Sequence, residues 1–137
     1  MGRILAVDDE LDMLALLKVI IEGYSDHSVM VTNNPLEASE LLEKEIFDLV
    51  LTDLKMPGMD GMEVLAKAKE RDEDALVIVI TAYGSMESAE EAVAKGAFDF
   101  ITKPFRKEQI LLAIDKAMRW RDMVRQNKAL KQQLERA

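Results

Sequence analysis

The residue types best suited to chemistry are three carboxylates, one hydroxyl and one amine. They are Asp8, Asp9, Asp53, Thr81 and Lys103, and each stands directly after a short apolar run. Three carboxylates buried close together without a counter-charge would repel one another, and at least one of them would become protonated. A hard cation resolves this conflict, and an oxygen-only ligand set favours Mg²⁺ or Mn²⁺ over zinc. The set predicts a magnesium-dependent site.

Asp53 is the best candidate for a nucleophile. An aspartate carboxylate can attack phosphorus to form an aspartyl phosphate when a metal and a cation neutralise the transferring oxygens. Lys103 supplies that cation, and the Thr81 hydroxyl can donate a hydrogen bond to a phosphate oxygen. These residues predict transfer of a phosphoryl group to Asp53. The position of the Thr81 hydroxyl could then report whether that group is present.

Each of these residues also has an ordinary structural interpretation. Asp8 and Asp9 could cap a helix, Asp53 could begin the turn that follows it, Thr81 could bind a loop amide and Lys103 could be solvated. Taken one at a time, those interpretations are preferred. Five groups of the required types at one sheet edge favour function.

The elements that position these residues alternate along the chain. Apolar runs of strand length are separated by amphipathic runs of helix length, and Asn34 followed by Pro35 indicates a helix start. Strands that are apolar on both faces and alternate with helices predict a parallel sheet covered on both sides. The predicted strands are 3–7, 28–32, 48–52, 76–81 and 98–102, and the predicted helices are 11–22, 35–44, 61–70, 85–95 and 107 onward.

The fold class follows as α/β, a flavodoxin-like doubly wound (βα)5 domain with strand order 2-1-3-4-5 and an extended C-terminal helix. In this order, strands 1 and 3 are neighbours at the switch point where ligands bind, beyond the carboxyl ends of the strands. Asp8, Asp9 and Asp53 should converge there, with Thr81 and Lys103 on the same edge.

Composition predicts one ordinary globular domain. The chain has 137 residues, of which 49% are hydrophobic and 32% charged, and it has no cysteine. The first strand begins near residue 3, which leaves no room for a signal peptide, and no apolar run approaches the length of a membrane span. We expect a cytoplasmic protein that does not bind membranes.

The net charge of −8 is unevenly distributed. Residues 1–102 carry 8 basic and 22 acidic side chains, whereas residues 103–137 carry 10 basic and 4 acidic ones. The acidic body argues against nucleic acid binding, which requires Lys and Arg at the phosphates. The basic tail is interpreted as a solvated helix face, so no direct nucleic acid binding is expected.

Residues 2–118 resemble the receiver domain of bacterial two-component response regulators. The resemblance rests on four segments, which are ILAVDDE at 4–10, DLKMPGMDG at 53–61, TAYG at 81–84 and KGAFDFITKPF at 95–105.

The resemblance implies roles for the metal site. Asp53 corresponds to the phosphoacceptor, Asp9 to a direct metal ligand, and Asp8 to an acid that acts on the metal largely through water. Lys55 would offer its backbone carbonyl to the metal.

It also implies roles for the phosphate site. Thr81 corresponds to the switch hydroxyl and Lys103 to the phosphate-binding lysine, with a cis peptide between Lys103 and Pro104. Phe100 occupies the aromatic switch position, although an ordinary core aromatic is an equal interpretation. Since phenylalanine has no hydroxyl, the switch would have to depend on the burial of the Phe100 ring instead of on a hydrogen bond.

The phosphoryl donor is expected in a partner protein. His27 is the only histidine, and it precedes the second strand, away from the predicted crevice. The resemblance implies a sensor histidine kinase as partner. The chain would catalyse only its own phosphorylation and dephosphorylation, so it is not a turnover enzyme.

The C-terminal segment 119–137 is predicted to be a helical linker after a receiver domain at 1–118. Helix signals continue to residue 136, so the helix should project beyond the domain. An a/d seam indicates a parallel coiled-coil homodimer, although two heptads are too few to exclude a solvated extension. The seam residues are Trp120, Met123, Asn127, Leu130 and Leu134.

Such a linker resembles that of NtrC-type activators of sigma-54 transcription. The expected output domains are an AAA+ ATPase and a DNA-binding domain. Since neither a P-loop nor a helix-turn-helix signature occurs here, we expect the chain to be cut from a longer protein. Phosphorylation would then switch dimerisation and the attached domain.

Three alternatives remain open. A stand-alone receiver that acts by protein binding fits the site equally well. A haloacid-dehalogenase-like phosphatase requires the pattern Asp-x-Asp-x-Thr after its first strand, and residues 7–11 lack that spacing. A purely structural dimerisation module would not be phosphorylated.

Overall fold

The computed structural model describes residues 2–56, 60–82 and 86–136. Within these ranges, five strands alternate with five helices. The strands are β1 (Arg3–Val7), β2 (Ser28–Thr32), β3 (Leu49–Asp53), β4 (Leu76–Ala82) and β5 (Asp99–Lys103). The helices are α1 (Leu11–Tyr24), α2 (Pro35–Lys44), α3 (Gly61–Arg71), α4 (Met86–Ala94) and α5 (Lys107–Arg136).

The strands form one parallel sheet in the order β2-β1-β3-β4-β5. This is the predicted flavodoxin-like order, and every predicted element lies within two residues of its observed bounds. The largest change for the site is that β3 begins at Leu49 instead of residue 48, so that Asp48 precedes the strand. The predicted start of α2 is confirmed, because the Asn34 side chain accepts hydrogen bonds from Leu36 N and Glu37 N with Pro35 in the first turn.

Two hydrophobic layers cover the sheet. On one face, buried residues of α1 and α5, such as Leu17 and Ile114, pack against Ile4 and Leu51. On the other face, α2, α3 and α4 pack against Leu5 and Val77 through residues that include Leu42 and Val64. Because both faces are covered, the central strands are apolar on both sides and polar groups concentrate at the strand ends.

Helix α5 has 30 residues, a length of roughly 45 Å. Its first part is a core element, in which Ile110, Ile114 and Ala117 are buried. Its second part passes the amino ends of the strands with its side chains half-buried or exposed. Among the described residues, no helix is long and apolar enough to span a membrane.

Candidate functional site at the carboxyl ends of the strands

Strand register brings Asp8 and Asp53 together. Val7 lies opposite Thr52 in the β1–β3 pair, so the next residue of each chain segment is an aspartate. One carboxylate oxygen from each of Asp8, Asp9 and Asp53 lies within 4.8 Å of the others. Asp8 and Asp53 are buried, with 1% and 9% of their surfaces exposed, whereas Asp9 is exposed. The predicted convergence of the three carboxylates is therefore present.

Lys103 bridges the two buried carboxylates. Its Nζ lies 3.1 Å from Asp8 Oδ2 and 3.1 Å from Asp53 Oδ2. The lysine ends β5, and the Lys103–Pro104 peptide bond is cis, as predicted. The amine is thus the counter-charge that a buried carboxylate pair requires.

Backbone amides satisfy the remaining oxygens of the two buried carboxylates. Asp8 Oδ1 accepts a hydrogen bond from Glu10 N at 2.9 Å, and Asp53 Oδ1 accepts one from Lys55 N at 3.3 Å. These bonds hold the Asp8 carboxylate at the first position beyond β1 and the Asp53 carboxylate at the last residue of β3.

The pKa values of Asp8 and Lys103 reflect their burial and the charges of their partners. Burial raises the pKa of the Asp8 carboxyl above its ordinary value, although the Glu10 amide and the Lys103 ammonium oppose this effect. Burial also disfavours the charged Lys103, but its hydrogen bonds to Asp8 and Asp53 outweigh that cost and raise its pKa. Lys103 therefore carries a full positive charge at neutral pH.

Thr81 lies at the same edge of the sheet as the carboxylates, whereas Phe100 lies farther back on β5, opposite Val79. In the β3–β4 pair Asp53 lies opposite Ile80, so Thr81 is one position farther along, and it is 1% exposed. Phe100 is half-buried and packs against the core layer that contains Val77. His27 lies at the opposite edge, where its Nδ1 accepts a hydrogen bond from Gly2 N.

Two residues at the start of α3 support the site and were not predicted from the sequence. A Cβ atom on Gly61 would lie 2.4 Å from the Asp53 carbonyl oxygen, so only glycine lets the helix approach the strand this closely. The Asp60 side chain caps the helix by accepting a hydrogen bond from Glu63 N at 3.0 Å. The Asp60-Gly61 pair before an amphipathic run was the available signal.

The predicted seam residues all lie on α5 and are accessible. Trp120, Met123, Leu130 and Leu134 are between 47% and 77% exposed, and Asn127 is also exposed. The Trp120 ring also contacts Phe98, with ring centroids 6.3 Å apart.

The basic tail is only partly the solvated face that its composition predicted. Arg121, Arg125 and Lys128 form ion pairs with acidic residues of the body, namely Asp48 and Asp74. The solvated interpretation was wrong for Arg121, which is only 14% exposed against Asp48, whereas Arg125 and Lys128 form their pairs while 61% and 55% exposed.

The chemistry of the donor set fits a hard divalent cation. Three carboxylates with no sulfur or imidazole among them suit Mg²⁺, which usually takes one or two carboxylates and retains water. Asp9 is exposed, and the Lys103 amine binds Asp8 and Asp53, so Asp9 can bind such an ion without displacing that amine.

The chain is similar to known signalling proteins. A family model described as the response regulator receiver domain matches residues 4–115. Chemotaxis protein CheY of Listeria monocytogenes is 38% identical over 117 residues, which cover 85% of this chain and 98% of CheY. Transcriptional regulatory protein ZraR of Klebsiella oxytoca is 36% identical over 115 residues, which cover 84% of this chain and 26% of ZraR.

Solved structures agree. NtrX from Brucella abortus superposes with a TM-score of 0.89 at 28% identity, and the match covers 94% of this chain and 30% of NtrX. The matched region therefore spans about a quarter of ZraR and about a third of NtrX.

Proposed function

This chain belongs to the response regulator receiver domain family, and on that premise we propose that it takes a phosphoryl group from a sensor histidine kinase onto Asp53. Receiver domains are signalling domains of two-component systems and not turnover enzymes. The single observation that carries the proposal is the Lys103 ammonium bound 3.1 Å from the Asp53 carboxylate, beside two further carboxylates.

The proposed transfer uses Asp53 as the nucleophile. A carboxylate oxygen of Asp53 forms the new P–O bond while the P–N bond of the donor phosphohistidine breaks, and the imidazole keeps the electron pair and takes up a proton. Lys103 moves from the carboxylates to the phosphoryl oxygens, where its charge offsets the added negative charge. Its raised pKa keeps the amine protonated for this role.

The carboxylates would hold Mg²⁺ (or Mn²⁺). Asp9 and Asp53 would bind the ion directly, Asp8 largely through water and Lys55 through its backbone carbonyl. When bound, the ion neutralises charge on the transferring oxygens.

The phosphorylated state would be read by Thr81 and Phe100. Thr81 is buried one position beyond the residue opposite Asp53, and this register supports a role for its hydroxyl at the carboxylate site. A hydrogen bond from this hydroxyl to a phosphoryl oxygen would shift β4, and the half-buried Phe100 on the adjacent strand would repack. The expected output is a change in the homodimer.

The linker 119–137 would connect the receiver domain 1–118 to an output domain. The exposed seam on α5 supports a coiled-coil homodimer, and the similarity to the longer proteins ZraR and NtrX supports an attached output domain. We propose a sigma-54 activator of the NtrC type, with an AAA+ ATPase and a DNA-binding domain. A stand-alone receiver is the second candidate, because the chain covers 98% of CheY; the downstream gene sequence would separate the two.

Acetyl phosphate with Mg²⁺, followed by intact-mass spectrometry, tests the phosphoacceptor. We expect a gain of one phosphoryl group that requires Mg²⁺ and disappears in Asp53→Asn. Asp60→Asn is the matched control, because it removes a neighbouring carboxylate but keeps a good helix cap. A phosphoryl gain that survives Asp53→Asn would overturn the proposal.

Sedimentation with and without beryllofluoride and Mg²⁺ tests the switch. We expect the association state of the chain to differ between the two conditions. Identical assembly in both would count against phosphorylation acting through the dimer.

A further inference from the structure

Helix α5 is tied to the body of the domain at the edge opposite the carboxylate site. The tie centres on Asp48, which directly precedes β3. Asp48 Oδ1 lies 3.0 Å from an Arg121 guanidinium nitrogen and 2.9 Å from one of Arg125. Asp48 Oδ2 accepts a hydrogen bond from Arg3 N at 2.8 Å. One carboxylate thus joins β1, β3 and α5.

The Asp48–Arg121 pair differs from ordinary surface ion pairs in its burial. The Asp48 and Arg121 side chains are only 17% and 14% exposed, whereas Arg125 is 61% exposed. The backbone amide and the two guanidinium groups lower the pKa of Asp48 although burial opposes them. A partly buried, multiply bonded pair stabilises more than a solvated one, which contributes little. Lys128 pairs with Asp74 farther along and is a solvated addition.

The part of α5 beyond the core has little else to hold it. In residues 119–136 no side chain is fully buried. An isolated helix of this length is marginal in water, because nucleation is costly and packing supplies most helical stability in proteins. Besides the ion pairs, the described contacts of this part include the Phe98–Trp120 ring pair and the half-buried Val124, which lines a cavity with Phe47 and Leu76.

The tied face and the seam are different faces of the same helix. At 3.6 residues per turn, the centre of the Arg121, Arg125 and Lys128 face lies roughly 140° around the helix from the centre of the a/d seam. Apart from Trp120, whose ring contacts Phe98 of the body, the seam therefore faces away from the body while the basic face is bound. Rotation of the helix about its axis would break the pairs.

We infer that Asp48, Arg121 and Arg125 form an anchor that keeps the linker helix folded and fixes the direction in which it presents its seam. The anchor gives the charge asymmetry of the chain a specific role, namely docking of the basic helix on its own acidic domain. The inference does not depend on phosphorylation, so its failure and that of the phosphoacceptor proposal are distinguishable.

Paired spin labels can measure the anchor because the chain contains no cysteine. Labels on Glu40→Cys in α2 and Gln133→Cys in α5 report the distance between the body and the helix end, and dilution with unlabelled chain removes distances between copies. We expect a narrow distribution in the parent chain and a broad one in Arg121→Gln/Arg125→Gln. This double variant leaves the Asp48 bond to Arg3 intact, so it tests the anchor without disturbing β1.

Arg119→Gln is the matched control. Arg119 is 81% exposed, and its ion pair among the described residues is with Asp115 on the same helix, so its removal should leave the distribution narrow. Hydrogen exchange gives a second measurement, in which amides of residues 124–134 should exchange at least about fivefold faster in the double variant than in the control. An unchanged distribution in the double variant, or equal broadening in Arg119→Gln, would overturn the inference.

Discussion

Asp48 and Asp53 lie at the two ends of one buried strand. Asp48 directly precedes β3 and Asp53 is its last residue, so roughly 17 Å of rigid strand separates the carboxylates. One binds the arginines of α5 and the other binds Lys103. Because the two groups share no partner, substitutions at one end test that end alone.

Replacement of Lys103 should destabilise the domain. Lys103→Met leaves the Asp8 and Asp53 side chains, 2% and 11% exposed, without their shared counter-charge. We expect the free energy of unfolding at neutral pH to fall by roughly 3 kcal/mol, as when one partner of a buried pair is removed. Urea unfolding followed by circular dichroism measures the loss, and millimolar Mg²⁺ should restore part of it.

Lys67→Met is the control for that measurement. Lys67 is 38% exposed and lies 3.7 Å from the exposed Glu43, so its loss should change the free energy of unfolding by less than about 0.5 kcal/mol. Equal losses in the two variants would mean that Lys103 acts as an ordinary surface lysine.

Removal of the Thr81 hydroxyl should separate phosphorylation from its readout. We expect Thr81→Ala to gain a phosphoryl group on Asp53 but to lose the response of sedimentation to beryllofluoride, because in the proposed mechanism the Thr81 hydroxyl binds the phosphoryl group only after its transfer to Asp53. Thr81→Ser keeps the hydroxyl and should keep the response. A full response in Thr81→Ala would remove Thr81 from the switch.

Two glycines should respond oppositely to alanine. In Gly61→Ala the new Cβ meets the Asp53 backbone at 2.4 Å, and we expect a loss of roughly 3 kcal/mol in unfolding free energy. In Gly23→Ala nothing lies within 4 Å, and relief of the glycine penalty in α1 should add about 0.5 kcal/mol. Thermal unfolding of both variants checks the pair, and a tolerated Gly61→Ala would contradict the close approach of α3.

His27 should make stability fall in mild acid. Burial lowers its pKa below the ordinary 6.5, helped by the chain N-terminus and Arg121 and opposed by Asp26 and Asp48. Below about pH 6.5 the unfolded chain therefore binds a proton that the folded chain resists, and stability is lost as the pH falls. Urea unfolding at several pH values should show this loss in the parent chain and a smaller one in His27→Asn. Equal pH dependence of the unfolding free energy in the parent chain and in His27→Asn would contradict a contribution from His27.

The order of elements and the polar groups at the strand ends were predictable from local patterns. Asp8, Asp53 and Lys103 follow apolar runs, and the parallel strand order brings such ends together, so the sequence indicated the cluster as well as its residue types. The supporting roles of Asp60 and Gly61 were not predicted. A helix cap and a close approach between a helix and a strand each depend on the neighbouring residues in the folded structure.

The carboxylate, hydroxyl and amine set, the alternating elements and the length of α5 were determined by the sequence, since periodicity and residue type are local properties. Only the tertiary structure decided that Lys103 bridges Asp8 and Asp53, and that Arg121 and Arg125 return to Asp48. A basic residue on an exposed helix has the same local pattern whether it meets water or a carboxylate. Its partner is selected by the packing of distant elements, here the amino end of β3 against the passing turn of α5.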